Sequence, residues 1–240
     1  MTQERRRILA IVPAFNEAGN IIRTINDIRT HAPYVDIVVI DDGSKDDTST
    51  CVQQNNETVV QLPFNLGIGG AVQTGLRYAY QHQYDIAFQF DGDGQHDAKF
   101  IANIIQPLTD SNIDMTIGSR FLEVNEGFQS SFSRRLGINF FVHLINLLTG
   151  VIIKDPTSGF RAFNKKAISL FVEDYPTDFP EPEAIVIAHR SGLVLKEIPV
   201  IMRAREAGSS SIRQLKSLYY MMKVTVAILL LMLRKPRSMV

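Results

Sequence analysis

The sequence predicts an α/β fold, a mostly parallel central sheet with helices on both faces. Three observations carry that expectation. Short apolar runs such as residues 8–12 and 37–40 match buried strands. The first is followed by a loop, by apolar residues at helical spacing and then by the second, the strand–loop–helix–strand order of a parallel sheet. Polar or acidic loops fall at three predicted strand ends, and in open α/β sheets ligands sit beyond the carboxyl ends of the strands.

Taken in order, residues 8–12 form the first strand and Pro13-Ala14-Phe15-Asn16-Glu17 the loop leaving it. Asn16 suits the cap of a helix through Ile21, Ile22, Ile25 and Ile28. The second strand, residues 35–40, ends in Asp41-Asp42-Gly43-Ser44. One of these two aspartates is expected to cap the helix that follows, and the other to face a ligand. A third strand, residues 58–62, leads into a glycine-rich helix start containing Gly67, Gly69 and Gly70. Such a start can bind phosphate through backbone N–H groups. Its spacing is not the dinucleotide fingerprint, and close helix–strand packing is the competing reading.

Residues 85–90 form the next strand and run into Asp91-Gly92-Asp93-Gly94-Gln95-His96-Asp97. Two carboxylates one residue apart repel, so water or a cation must relieve them. Mg²⁺ or Mn²⁺ suits such a pair and shares its remaining positions with phosphate oxygens and water. A solvated Asp-Gly turn is the alternative. Beyond it, residues 100–108 read as a helix and residues 115–121 as a strand running into a site. Residues 122–133 read as a polar loop. Arg134-Arg135 opens an apolar helix through Phe140, Phe141, Leu144, Ile145, Leu147 and Leu148, facing either the core or lipid. Glu181-Pro182-Glu183 starts another helix, where acids suit the dipole. Residues 193–200 form the last strand. His96 and His189 are expected to be ordinary hydrogen-bonded histidines.

Ser209-Ser210-Ser211 leads the final helix. Its apolar run, residues 218–233, is 16 residues long and reaches only about 24 Å at 1.5 Å per residue, short of the roughly 30 Å hydrocarbon core of a membrane. Arg213, Lys216, Arg234, Lys235 and Arg237 flank it. The pattern predicts an interfacial helix on an anionic membrane, with a small membrane-protein partner or a second copy as further contacts. Packing on the parent domain is the competing reading.

Composition agrees with one domain plus an appendage. The 240 residues carry 25 basic and 25 acidic side chains, but residues 203–240 hold eight Lys or Arg against one acid. A basic tail on an acidic body suggests a surface that meets anions; no nucleic acid is expected as a partner. A single cysteine, Cys51, excludes an internal disulfide and a cysteine metal cluster. No signal peptide is visible, because Arg5-Arg6-Arg7 precedes only a short apolar run broken by Pro13.

The ordered set Val12-Pro13-Ala14-Phe15-Asn16-Glu17, Asp41-Asp42-Gly43-Ser44, Asn65-x-Gly67-x-Gly69 and Asp91-Gly92-Asp93-Gly94-Gln95-His96 resembles the family 2 glycosyltransferases. Gly118-Ser119-Arg120, Asp155-Pro156-Thr157-Ser158-Gly159-Phe160-Arg161 and Arg205-x-x-Gly208-x-Ser210 bring the resemblance closer to the dolichyl- or polyprenyl-phosphate sugar synthases. It spans residues 8–212. Phe15 departs from the usual tyrosine, losing a hydroxyl but keeping a ring that can stack on a base.

The resemblance implies a GT-A nucleotide-sugar-binding fold, with residues 1–208 as the catalytic domain and residues 209–240 as the amphipathic, basic helix. Pro13, Phe15, Glu17, Asp42, Gly43, Gly67 and Asp91 would bind the nucleotide-sugar. Asp91, Asp93 and Gln95 would hold Mg²⁺ or Mn²⁺. Arg120, Arg134, Arg135 and Arg205 would meet the acceptor phosphate, since guanidinium forks match phosphate oxygens. Asp93, Asp155, Arg120 and Arg205 form the implied catalytic set, with Asp155 orienting or deprotonating and Glu183 falling where the family often keeps an acid near the sugar. The implied reaction moves a hexosyl group from a nucleotide-sugar, UDP-linked rather than GDP-mannose, to a polyprenyl phosphate with inversion. The enzyme would sit peripherally on the cytoplasmic face of a membrane. The alternatives are a transferase acting on a sugar hydroxyl and an inactive nucleotide-sugar-binding scaffold.

Overall fold

The computed structural model describes residues 6–110, 112–122, 132–178, 180–203 and 214–234. Strands β1 (Ile8–Ala14), β2 (Asp36–Asp41), β3 (Thr58–Gln61), β4 (Ile86–Gln89), β5 (Met115–Ser119), β6 (Arg161–Asn164) and β7 (Leu195–Pro199) form one sheet in the order β3-β2-β1-β4-β6-β5-β7. Neighbours pair in parallel except β6, which runs antiparallel to both β4 and β5. The helices are α1 (Ile21–His31), α2 (Thr48–Gln54), α3 (Gly67–Gln81), α4 (Ile101–Asp110), α5 (Phe132–Thr149), α6 (Lys165–Glu173), α7 (Pro180–Arg190) and α8 (Gln214–Leu233).

The unbroken apolar runs have a simple cause. Along β1, Leu9 and Ile11 enter one core while Ala10 and Val12 enter another on the opposite face, as the two-residue period of a strand requires. The first core is closed by α3, α5, α6, α7 and α8, the second by α1, α2 and α4. A strand covered on both sides has no solvent face on which to place polar residues.

The structure departs from the expected elements in three places. Asn16 does not cap α1, which starts at Ile21 after Asn20; Asn16 instead takes a left-handed backbone with φ 56°, which asparagine tolerates better than most residues. Strand β6 and helix α6 arise where no element was expected. Asn164 ends β6 and caps α6, its side chain accepting from the Ala167 N–H at 3.0 Å. Because β6 runs against its neighbours, it begins at the sheet edge where β4 and β5 end, and this brings residues 155–160 to the site.

Helix α8 has two apolar faces. Val224 and Ile228 are fully buried in the first core, and Tyr220 packs edge-on against Phe141 of α5 with centroids 5.7 Å apart. Arg190 of α7 closes its end by donating to the carbonyls of Met232, at 3.1 Å, and Arg234, a cation satisfying last-turn acceptors. Lys223 pairs with Asp178. The outward face carries Tyr219, Met222, Val226, Leu229, Leu230 and Leu233, all exposed. Among the described residues, no helix is long and apolar enough to cross a membrane.

Candidate active site

The chain builds β1, β2 and β3 outward in one direction, then returns to lay β4 on the other side of β1. The loops leaving β1 and β4 therefore diverge and open a crevice at the carboxyl edge of the sheet. Their close approach is backbone on backbone. The Gly92 N–H donates to the Pro13 carbonyl at 3.3 Å, and a Cβ on Gly92 would lie 3.0 Å from that oxygen. Thr24 holds the Gly92 carbonyl from beneath at 3.1 Å.

On the β1–β2 side the loops are zipped together by short polar side chains. The Asn16 N–H donates to Ser44 Oγ at 2.9 Å, the Lys45 N–H to Asn16 Oδ1 at 2.8 Å, and the Glu17 N–H to Thr48 Oγ1 at 2.9 Å. Asp41 accepts from the Ser44 N–H at 2.9 Å and from Ser49 of α2, so it anchors the following helix. Asp42 uses both oxygens on the glycine-rich loop, accepting from the Leu66 N–H at 2.7 Å and the Gly67 N–H at 2.9 Å. Burial raises the Asp42 pKa against the pull of these two donors. Gly43, at φ 74°, lets the Phe64–Asn65 backbone pass where a Cβ would sit 3.0 Å away. Gly69 has no room for a side chain beneath the Pro176 and Thr177 carbonyls, the latter accepting its N–H at 3.1 Å. The result is a rigid rim bearing two exposed rings, Phe15 at 44% and Phe64 at 64%. Phe64 escaped sequence reading because it precedes a motif without belonging to it.

The β4 side carries the two carboxylates. Asp91 Oδ1 accepts from Gln89 Nε2 at 2.8 Å, and the Asp91 N–H donates to His96 Nδ1 at 3.0 Å. An accepting Nδ1 puts the ring proton on Nε2, which lies 3.5 Å from Asp91 Oδ2. His96 is buried, stacked on Phe160 with centroids 4.8 Å apart. Asp93 Oδ1 accepts from the Gln95 N–H at 3.0 Å across Gly94, which has φ 76°. Among the described residues, no group of three or more His, Cys, Asp or Glu gathers into a metal cage. Two carboxylates and an amide oxygen on one loop fit a hard divalent ion that draws its remaining ligands from a diphosphate.

Beyond β4 the structure joins two residues that the sequence suggested separately. Arg120, at the end of β5, grips Asp155 with a fork of 2.7 Å bonds from Nε and Nη2, and its backbone N–H adds a third at 3.1 Å. Thr157 Oγ1 donates to the same carboxylate at 3.3 Å. Asp155 is fully buried. Glu197 of β7 holds this turn by accepting the Lys154 and Asp155 N–H groups, each at 2.8 Å. Buried Arg161 braces its other side, donating to the Ser158 carbonyl at 2.7 Å and the Pro156 carbonyl at 3.0 Å. Sequence reading assigned neither a site role: Glu197 fell within the expected last strand, and Arg161 appeared only as the last residue of the Asp155–Arg161 motif.

The two acids opening α7 face different charges. Burial raises the Glu181 pKa, Arg161 opposes the rise, and Asp91 adds to it. Burial also pushes Glu183 up to about 7; Asp178 adds to the rise, and Lys223 and Arg234 oppose it. Glu181 thus belongs electrostatically with the crevice and Glu183 with α8. Beside the Arg120–Asp155 pair opens a cavity of about 470 Å³ lined by Phe121, Leu136, Ile138 and Val142, with Arg135, Lys154 and Asn139 as its polar members. The Arg134 side chain and all of Arg205 lie outside the described residues.

Residues 9–171 match the glycosyl transferase family 2 profile. A protein of Methanococcus voltae, UDP-N-acetylglucosamine--dolichyl-phosphate N-acetylglucosaminyltransferase, is 33% identical over 80% of this chain and 84% of its own length. The undecaprenyl-phosphate mannosyltransferase of Micrococcus luteus is 27% identical over 85% of this chain and 86% of its own. Among solved structures, glucosyl-3-phosphoglycerate synthase from Mycobacterium tuberculosis, in complex with Mn²⁺, UDP and glucosyl-3-phosphoglycerate, superposes with a TM-score of 0.71 at 22% identity. The match covers 97% of this chain and 82% of that one.

Proposed function

The chain belongs to glycosyl transferase family 2 and has the GT-A fold, and from that premise we propose that it transfers a hexosyl group from a nucleotide-sugar to a polyprenyl phosphate. The observation that carries the acceptor half of this reading is the cavity beside Arg120. Cations from Arg135 and Lys154 share it with an apolar wall of Phe121, Leu136, Ile138 and Val142. A phosphate joined directly to an isoprenoid chain needs both surfaces within a few ångströms of each other, whereas a sugar hydroxyl acceptor needs neither. Relatives named for dolichyl- and undecaprenyl-phosphate transfer support the same acceptor class.

On this reading the donor diphosphate lies over the crevice between β1 and β4, with the base against the rim of Phe15 and Phe64. Asp91, Asp93 and Gln95 would hold Mg²⁺ or Mn²⁺, which when bound neutralises charge on the departing diphosphate. The acceptor needs no strong base, because a phosphate monoester with a second pKa of about 6 is already largely ionised at neutral pH. Its oxygen forms the new bond to the anomeric carbon, the bond to the diphosphate breaks, and the electron pair leaves with the nucleotide. An in-line attack of this kind inverts the anomeric centre. Asp155 serves by fixing the Arg120 fork beside the acceptor phosphate. A UDP-sugar is the favoured donor. Work at the cytoplasmic surface of a membrane belongs to the reading, supported by the outward apolar face of α8 and the cations flanking it.

The test is transfer of radiolabelled sugar into organic-extractable lipid, with a panel of UDP- and GDP-sugars, polyprenyl phosphate, and Mg²⁺, Mn²⁺ or EDTA. Metal-dependent lipid label that falls by about 100-fold or more in Asp93→Asn is the expected result, since loss of metal-ion stabilisation removes several kcal/mol. Label appearing only in a saccharide product would move the acceptor to a sugar hydroxyl. Absence of both transfer and donor hydrolysis would leave a binding scaffold.

A further inference from the structure

We propose that Arg203 is a positioning residue, whose guanidinium holds the metal loop of residues 91–97 in its ligating shape; the proposal rests on the reading of Asp91, Asp93 and Gln95 as the metal-holding residues. Past the end of β7, residues 200–203 form a strap across the carboxyl edge of the sheet. The Val200 N–H donates to the Ser119 carbonyl at 3.0 Å, Met202 pairs with His96 in an antiparallel bridge, and the Arg203 N–H donates to the Gln95 carbonyl at 2.8 Å. The strap therefore meets the loop on two consecutive residues, one of which carries the amide proposed as a ligand.

The Arg203 side chain adds a second attachment. Nη1 lies 2.8 Å from Asp27 Oδ2 on α1, and Nη2 lies 2.8 Å from Asp97 Oδ1 at the downstream end of the loop. Nη2 also lies 3.5 Å from Asp27 Oδ1. Both carboxylates are tied into the turn that follows the loop, Asp27 Oδ2 accepting from the Ala98 N–H at 3.3 Å and Asp97 Oδ1 from the Lys99 N–H at 3.1 Å. One guanidinium thus joins α1, the loop terminus and the strap. The carboxylates are only 15% and 14% exposed, so without the cation two acids would face each other at the foot of the loop. That repulsion would be relieved by moving Asp97, and with it the Gly94–His96 backbone.

Arginine suits this place because its planar fork reaches two carboxylates from different elements, whereas an ammonium is a point charge on a flexible stem. Groups that orient metal ligands from behind typically change metal affinity by about 10–100-fold when removed. Arg203 and Asp97 are 106 residues apart in sequence, so only the fold brings them together.

The test measures Mn²⁺ binding to the full chain in the presence of UDP or GDP, by loss of the free-ion electron paramagnetic resonance signal, with thermal unfolding recorded in EDTA. Arg203→Ala keeps the backbone bond to Gln95 and removes only the fork. It is expected to raise the apparent Kd for Mn²⁺ about tenfold, with Arg203→Lys in between. Arg203→Ala is expected to lower the unfolding temperature further than Lys165→Ala, which breaks a surface pair with Asp85 on the far side of the fold, yet to leave the chain folded at the temperature of the titration. Mn²⁺ affinity in Arg203→Ala equal to wild type overturns the proposal, as does a loss that merely tracks the unfolding shift or that Lys165→Ala shares. The titration needs no acceptor, so failure of the lipid-phosphate reading leaves it intact. A wild-type chain that binds no Mn²⁺ with either nucleotide removes the metal reading and this proposal together.

Discussion

At the scale of single residues, the Arg120–Asp155 pair shows how burial narrows what a side chain can do. The resemblance leaves Asp155 either orienting or deprotonating, and its carboxylate is fully buried and gripped by an arginine fork, which favours the orienting role. Two charges at that depth are balanced only while both are present. Asp155→Ala is therefore expected to cost about 3–5 kcal/mol in a urea unfolding titration. Asp155→Asn separates the two roles more finely through the pH–rate profile of sugar transfer. A bracing Asp155 leaves an acid limb near the acceptor phosphate's second pKa of about 6, at lower amplitude. Loss of that limb in the variant would identify Asp155 as the base. Asp42, which the resemblance places among the nucleotide-sugar-binding residues, has both its oxygens holding the Leu66–Gly67 backbone.

At the scale of elements, the apolar strands were legible because burial on two faces leaves an unbroken signature. β6 was not. It is four residues long, begins with a buried arginine, and follows a turn-rich segment, so neither periodicity nor hydrophobicity reported it. Helix α7 offers a prediction that belongs to its packing against α8. The Glu183 carboxyl is raised from 4.5 to about 7 by burial and Asp178, so between those values the folded chain holds a proton that the unfolded chain has lost. Its contribution to stability is complete below about 4.5 and disappears as pH rises through about 7. Glu183→Gln should remove this slope from thermal unfolding followed by circular dichroism, and should gain most relative to wild type above pH 7. A slope unchanged in the variant would refute the assignment.

At the scale of the whole molecule, α8 packs on the parent domain, one of the two fates that sequence reading weighed, and keeps an exposed apolar face on which the proposed membrane contact rests. Its inner face completes the core, so Ile228→Ala should cost about 2–5 kcal/mol in stability. Its outer face leaves Leu229 and Leu230 exposed. Replacing both with glutamine should leave unfolding nearly unchanged yet reduce flotation with anionic liposomes by about tenfold or more, since each buried leucine contributes about 1.5–3 kcal/mol. Equal flotation of wild type and variant would assign the outer face to a protein partner or a second copy.

The sequence by itself determined the α/β class, the order of most strands and helices, and the three loops that meet at the crevice. Those features are local: strand burial, helical period and glycine-spaced carboxylates are written within a few neighbouring residues. Tertiary structure alone decided the antiparallel placement of β6, the pairing of Arg120 with Asp155, the separation of Glu181 from Glu183, and the junction of Arg203 with Asp27 and Asp97. Each depends on which charges face one another after distant segments pack. That choice is made by desolvation and geometry across the fold, and one-dimensional spacing carries no record of it.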